Sequence, residues 1–416
     1  MTSRRRARDD DAVIAEPAEL LDRFAALPSA APLLRRLEGW PEDLYLVGGA
    51  VRDLMLGDQP TDLDLLAAGS VDRLADRMGD AIVRYDRFGT ASGDVDGHHY
   101  DFARARRETY SHPGALPEVT PADVEDDLAR RDFTVNAIAL GVLGPRQGQL
   151  LAFDGAVEDL RAARLRVLHE ASFVEDPTRL LRLSRYRARL GFTVEPRTLE
   201  LARAAIAAGA LGSVSGDRIG TELRLLANEA DPVGALASLR SLGLDTAIEP
   251  GFGLRDPELV RDALALLPED GDRATLVLGA ALAGLHRGTR SALLNRLAFS
   301  ARDRDRILDA AAAPELARRL SRTQAPSEIA AAVGSAGPEA LALAGAGGAR
   351  GAAQRWLGGL RDVGLEISGS DLISAGIAPG PAIGRGLAAA LAARLDDQAP
   401  DRETQLAVAL RAAAGD

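Results

Sequence analysis

The residues best placed to do chemistry cluster in Gly48-Gly49-Ala50-Val51-Arg52-Asp53, then Gly57, then Asp62-Leu63-Asp64. Carboxylates at i and i+2 of a strand project from one face, because side chains alternate with period two. Such a pair can hold Mg²⁺, a hard cation that takes oxygen ligands from one or two carboxylates and from substrate phosphates. The Gly-Gly pair ahead of it lets backbone N–H groups approach a triphosphate with no Cβ in the way. Alone, Asp-x-Asp reads as two solvated carboxylates on a sheet edge. With the glycines and Arg52 ahead of it, the reading turns to metal and triphosphate binding. In His98 to Ala103 the alternation sets Tyr100 and Phe102 on one face and His99, Asp101 and Ala103 on the other. Asp101 then turns away from the aromatic side as a third carboxylate, although a solvent-facing hairpin position suits it too. Three carboxylates with two metal ions can activate an attacking hydroxyl and steady the leaving oxygen of an in-line phosphoryl transfer. His98, His99, His112, His169 and His286 show no metal-ligand spacing and read as satisfied or surface side chains.

These residues need a small sheet to hold them. Leu44–Val47 reads as a short strand, Ala50–Leu56 as a helix stopped by Gly57, and Asp62–Ala68 as a second strand. Phe88–Arg104 carries Asp96-Gly97 between strand-like flanks, a hairpin signal. Arg107–Asp123 reads as a Pro- and Gly-bearing loop, followed by a helix through Asp132–Leu140. Past residue 160 Ala, Leu and Arg recur at helical spacing, broken by a loop or weak linker at Leu343–Ala353. An α+β head with a helical remainder is expected.

A chain of 416 residues, 46% hydrophobic and 27% charged, has material for two or three domains. Gly and Pro make up about 15% of it, below the ~25–30% of low-complexity chains. All 50 basic residues are Arg, against 61 acidic ones, a net charge of −11. Guanidinium favours bidentate contact with carboxylates, phosphates or base edges. Nucleic-acid contact is suggested by a local strip, not the net charge, since Arg161–Arg189 carries a net +5. Absence of cysteine excludes disulfides, thiolate zinc sites and thiol nucleophiles, and points to the cytoplasm. Arg4–Arg8 is followed by Asp9–Asp11 where a signal peptide needs an apolar core, so the start reads as an arm. The apolar run Ala274–Leu285 is too short for a bilayer span of ~20 residues, and no membrane partner is expected.

LYLVGGAVRDLMLGDQPTDLDLL, then DFARARRETYSHPGALPEVTPADVEDDLARRDFTVNAIAL, then AFDGAVEDLRAARLRVLHEASFVEDPTRLLRLSRYRARLGF resemble the ordered motifs of bacterial class II tRNA nucleotidyltransferases, the CCA-adding enzymes and their poly(A) polymerase relatives. The likeness runs from Leu44 to Phe192, and Ile367–Leu391 resembles the family's tail more loosely. It implies a polymerase-β-like head with a small mixed sheet, followed by an all-α neck, body and tail. The expected organisation is an N-terminal arm and helix over 1–39, the head over 40–160, the neck over 161–230, and a tRNA-binding body and tail over 231–416. By this resemblance Asp62, Asp64 and Asp101 hold Mg²⁺, and Gly48, Gly49 and Arg52 line the triphosphate. Arg131, Asp132 and Asn136 contact the incoming nucleotide. Asp132 equally suits the N-cap of a helix Phe133–Leu140.

Glu175-Asp176-Pro177-Thr178-Arg179 resembles the family's nucleotide-selecting motif. Cytosine and adenine each present an amino donor beside an acceptor nitrogen, which Asp176 and Arg179 would complement, with Arg182 and Arg185 one and two turns on. Guanine and uracil would set acceptor against acceptor and donor against donor, at about 1–3 kcal/mol for each misplaced group. On spacing alone, Asp before Pro at a helix start with Arg179, Arg182 and Arg185 as a solvated stripe is the more ordinary pattern, and the resemblance reverses that preference. Glu175, Arg218 and Glu222 would support the selecting helix, although Arg218 and Glu222 also read as a surface i,i+4 pair. Tyr110 lies in a segment that, in the family, helps switch the pocket from CTP to ATP. The expected activity is template-independent CCA addition to tRNA from CTP and ATP. A poly(A) polymerase, a CC-only or A-only enzyme, and a silent RNA-binding protein are the alternatives.

Overall fold

The computed structural model describes residues 17–60, 63–85 and 89–415. The chain divides into two compact units between Ser215 and Gly216.

In the first unit α1 (Pro17–Ala25) and α2 (Ala30–Arg36) lead into β1 (Leu44–Val47), α3 (Gly49–Met55), β2 (Leu63–Ala67), α4 (Val71–Met78) and β3 (Ile82–Tyr85). There follow β4 (Thr90–Val95), β5 (His98–Arg104), β6 (Arg106–Thr109), β7 (Glu118–Pro121), α5 (Val124–Ala129), β8 (Ile138–Leu143), β9 (Leu150–Ala152) and α6 (Ala156–Arg161). Seven strands form one mixed sheet in the order β3-β4-β5-β2-β1-β8-β9. Asp96 and Gly97 both take positive φ, as a type I′ turn requires, and Val95 faces His98 across the turn. Tyr45, Val47, Leu66, Val124, Leu128 and Ala139 pack together in the sheet's core.

Strands β1 and β8 are buried along almost their whole length. Strands covered on both faces show continuous apolar runs, and a short run of that kind fits a helix or a buried strand equally well. That ambiguity accounts for the expected helix at Phe133–Leu140, which does not form. Thr134–Asn136 makes a single tight turn and the chain then enters β8. The expected loop Arg107–Asp123 also differs, because β6 and β7 pair antiparallel from Arg106 opposite Pro121 to Thr109 opposite Glu118. Their sequences, RRET and EVTP, lack an apolar alternation that would mark strands.

After the sheet come β10 (Arg164–Leu165), α7 (Ser172–Glu175), α8 (Thr178–Leu190), β11 (Thr193–Val194) and α9 (Pro196–Ala207). A two-residue parallel ladder joins β10 to β11.

Among the described residues the second unit contains helices and no strand, from α10 (Gly216–Ala227) to Arg402–Ala414. Leu316, Leu320, Ile329, Val333 and Leu341 form one of its cores, and Leu372, Ala390 and Ala409 belong to another. The expected loop at Leu343–Ala353 is helical instead. Helix Pro338–Ala344 passes through a wide turn, kinked at Gly347 and Gly348, into helix Arg350–Leu357. Ala344, Ala349 and Ala353 are buried there, so the run of small residues serves close packing. No single helix among the described residues is long and apolar enough to cross a membrane.

Candidate active site

Strands β2 and β5 run parallel with Asp64 directly opposite Asp101. Around them Leu63, Leu65, Tyr100 and Phe102 are buried, whereas both carboxylates are exposed. The period-two alternation therefore carries the two acids to one open face, on strands about 4.8 Å apart. His99 stands beside them: its Nδ1 lies 2.9 Å from Asp94, its Nε2 3.0 Å from Ser92 Oγ and 3.6 Å from Asp101. Asp62 lies outside the described residues. Among those residues no three potential metal ligands cluster, and Asp64 with Asp101 forms a pair of hard oxygen donors, which suits Mg²⁺.

Between β1 and α3, Gly48 takes φ +66°, and a Cβ there would come 2.6 Å from Arg131 Nη1. The Gly48 amide donates to the Ile138 carbonyl at 3.0 Å, so this glycine contributes room for Arg131 and not a free amide. Arg52, one turn into α3, is buried; its Nη1 donates to Asn136 Oδ1 at 2.5 Å, and its Nε and Nη2 donate to Asp53. Asn136 Nδ2 donates to Asp132 Oδ1 at 2.9 Å, which is the amide orientation that satisfies both neighbours. Arg182 Nε donates to Asp132 Oδ2 at 2.8 Å. An unbroken chain of polar bonds thus runs from α3 to α8. Burial pushes the Asp132 carboxyl up, but the Arg182 charge, the hydrogen bonds from Asn136 and Arg182, and the Arg179 charge overcome it and hold the group at about 2. Asp132 caps no α-helix; its Oδ1 accepts the Phe133 N–H at 2.8 Å.

The alternative of a solvated arginine stripe on α8 fails for two of its three members. Arg179 and Arg185 are buried and Arg182 is half-buried against Asp132. Arg179 donates from Nη1 to Ser172 Oγ and from Nη2 to the Arg130 carbonyl, each at 2.7 Å. Asp176 Oδ1 accepts from the Thr178 amide at 3.1 Å and from its hydroxyl at 2.6 Å, so the helix-opening role is realised at that oxygen. The hairpin tip between β6 and β7 reaches this segment, with Gly114 N–H donating to the Glu175 carbonyl at 3.1 Å.

Three comparisons bear on this arrangement. Residues 44–166 match the poly(A) polymerase head domain. The chain is 32% identical to an A-adding tRNA nucleotidyltransferase of Geobacter sulfurreducens, aligned over 96% of this chain and 48% of that one. It is 34% identical to a CC-adding tRNA nucleotidyltransferase of Deinococcus radiodurans over 85% of each. The chain belongs to the tRNA nucleotidyltransferase family. Its fold matches that of the Thermotoga maritima CCA-adding enzyme complexed with tRNA, with a TM-score of 0.75, 27% identity, and coverage of 96% of this chain and 99% of that one. It spans about half the length of the Geobacter relative. The expected α+β head with a helical remainder is the fold of this family.

Within this tRNA nucleotidyltransferase fold, several residues went unnoticed in the sequence. Asp127, fully buried on α5, accepts from both Arg130 and Arg131. Glu108 Oε1 accepts from Arg106 and Arg130, and its Oε2 accepts from the Tyr110 hydroxyl at 3.0 Å. Burial and the Glu108 charge push that phenol up to about 12. The Tyr186 ring has the guanidinium carbons of Arg185, Arg182 and Arg52 at 5.1, 5.5 and 5.6 Å from its centroid. No local pattern in the sequence marks Tyr186. Arg164 and Arg166 of the basic strip pair with the buried Asp159. Arg218 and Glu222 lie one turn apart on α10 of the second unit, Glu222 being buried.

Proposed function

We propose that the chain adds CCA to the 3′ end of tRNA from CTP and ATP, releasing pyrophosphate. The observation that carries this reading is the register setting Asp64 beside Asp101 on the open face of a tRNA nucleotidyltransferase head. Asp64, Asp101 and, by its spacing, Asp62 would hold Mg²⁺. Bound there, Mg²⁺ would supply positive charge to the attacking 3′-hydroxyl and to the leaving pyrophosphate.

The chain's own residues do the rest. Arg131, lodged against Gly48, and Arg52, lodged against Gly49, attract the triphosphate, while Asn136 and Asp132 fix Arg52 and Arg182 in place. Asp132 stays ionised throughout the working range, so that chain keeps one polarity. Asp176 accepts the exocyclic amino group of cytosine or adenine, and Arg179 donates to the adjacent ring nitrogen. Arg179 is already anchored by Ser172 and the Arg130 carbonyl, which limits the entropy lost when a base docks. Glu175, at the end of α7, would support the opening of the selecting helix. The helical body would grip tRNA by shape and phosphate contacts, with salt-sensitive affinity. The reaction belongs in the cytoplasm, which suits a chain with no cysteine.

A CC-only or A-only activity is the second reading, favoured by nearly equal identity to a CC-adding and an A-adding relative. The deciding experiment supplies a tRNA transcript ending before CCA with Mg²⁺ and CTP, ATP, both, or GTP and UTP, and sizes products at nucleotide resolution. Two additions with CTP and a third only when ATP is present support CCA addition. Arrest after two additions gives the CC-only reading, and addition of A only to a transcript ending in CC gives the A-only one. A long ladder with ATP alone indicates poly(A) synthesis, and no extension by tRNA-binding protein overturns the enzymatic reading.

A further inference from the structure

We infer that Tyr186 is a positioning residue whose ring gathers Arg52, Arg182 and Arg185 into one preformed cationic cluster for the nucleotide triphosphate. The inference rests on the proposed nucleotidyl transfer and deepens it. Three guanidiniums lie within 6 Å of one ring centroid, so no two of their central carbons are more than about 11 Å apart. Mutual repulsion at that range, in a largely buried site, would drive the side chains apart. Asp53 pairs with Arg52 and Asp132 with Arg182. The aromatic ring is a partner that all three cations have in common.

Its placement is itself determined. Phe133 meets the ring edge-on, with centroids 5.8 Å apart and planes at 80°, and the Tyr186 hydroxyl accepts from Arg182 Nη2 at 3.3 Å. A ring fixed in this way presents its negative quadrupole to the guanidiniums before any nucleotide arrives. The cluster is then pre-organised, and binding charge is not spent on collecting mobile side chains. Because the triphosphate is common to all nucleotides, the effect should fall equally on CTP and ATP and leave base selection unchanged.

The test removes the quadrupole while keeping the shape. Phenylalanine, then mono-, di- and trifluorinated phenylalanines, are placed at position 186 of the full chain, and CTP and ATP affinities are measured by calorimetry. Tyr186→Phe should bind both nucleotides within about twofold of wild type. Each added fluorine should weaken both in parallel, reaching about tenfold at trifluorination. Tyr186→Leu should lose at least as much, yet fluorinated rings are nearly isosteric with phenylalanine, so the series stands even if the leucine variant does not fold. A flat series overturns the inference, and so does a Tyr186→Phe variant already as weak as the trifluorinated one. Protein that binds CTP but extends no tRNA refutes the proposed activity and leaves the series readable; a flat series in an active enzyme refutes the positioning role alone.

Discussion

The two units bury charge in opposite ways. In the first, Arg52, Asn136, Asp132 and Arg182 bond side chain to side chain across elements far apart in sequence. In the second, the buried Asp245, Arg290 and Glu339 each bond to backbone. Arg290 donates to the carbonyls of Leu285 and Ala283, and Glu339 accepts the Asp272 amide at 2.8 Å as well as Arg306 Nη2. Charges spent on backbone ends hold loops and helix termini in place. Charges paired with each other across a pocket hold a polarity where a substrate docks. Loss of a charge should therefore register in nucleotide binding in the first unit and in stability alone in the second.

The largest effect is expected at the open face. Asp64→Ala or Asp101→Ala should lower kcat for tRNA extension by about 10³-fold, on the scale of losing a principal electrostatic group. Both carboxylates are exposed, so unfolding free energy should change by no more than about 0.5 kcal/mol. Urea unfolding beside the extension assay checks both halves. Residual activity above a tenth of wild type would remove the pair from the chemistry.

Next comes Asp132→Ala, which leaves Arg182 and Asn136 facing a void and should cost about 3–5 kcal/mol, along with nucleotide affinity. Its pH dependence carries a sign. The folded carboxyl sits at about 2, below its ordinary 3.8, so on acidification the unfolded chain takes up the proton first. The stabilisation is fully present above about pH 4 and is lost as pH falls through 2, with about 2 kcal/mol of it linked to this proton. Urea midpoints of wild type and variant should therefore converge below pH 4 and run parallel above it. Convergence at neutral pH would contradict the buried ion pair.

Much of the candidate site was legible because its sequence is constrained by backbone geometry. The alternation in HHYDFA gave the facing of Asp101, and Gly-Gly before Arg52 gave the tight entry to α3. Two readings went astray for a common reason: they depended on partners distant in the chain. VNAIAL enters a strand because β1 and β9 cover it on both sides, and RRET pairs because EVTP returns beside it. The alternative of a solvated stripe falls because Ser172 and the Arg130 carbonyl receive the buried Arg179 and the Tyr186 ring lies against the buried Arg185. Tyr186 itself has no local pattern; its role lies in which cations surround it.

Glu339→Gln sharpens the contrast from the other unit. The substitution keeps an acceptor oxygen for the Asp272 amide but removes the charge facing Arg306, a loss of about 1–3 kcal/mol for so buried a group. The urea midpoint should fall while KM for CTP and ATP stays within twofold of wild type. A rise in KM comparable to that of Asp132→Ala would show that nucleotide binding draws on charges in both units, and the division would fail.

The smallest effect is expected from an arginine that pairs without being buried. Arg197 contacts Glu170 at 2.8 Å and Glu200 at 3.2 Å, with about half of its own side chain and most of both partners exposed. Such pairs lose most of their Coulomb attraction to solvent and salt and must restrain long side chains to form. Arg197 also occupies the first turn of α9, where the helix dipole disfavours a cation. Attraction to the two glutamates and repulsion from the helix terminus should nearly cancel. Arg197→Ala is therefore expected to leave the melting temperature and both nucleotide KM values unchanged. A drop in melting temperature as large as that of Asp132→Ala would mean that pairing, and not burial, decides what an arginine contributes to this chain.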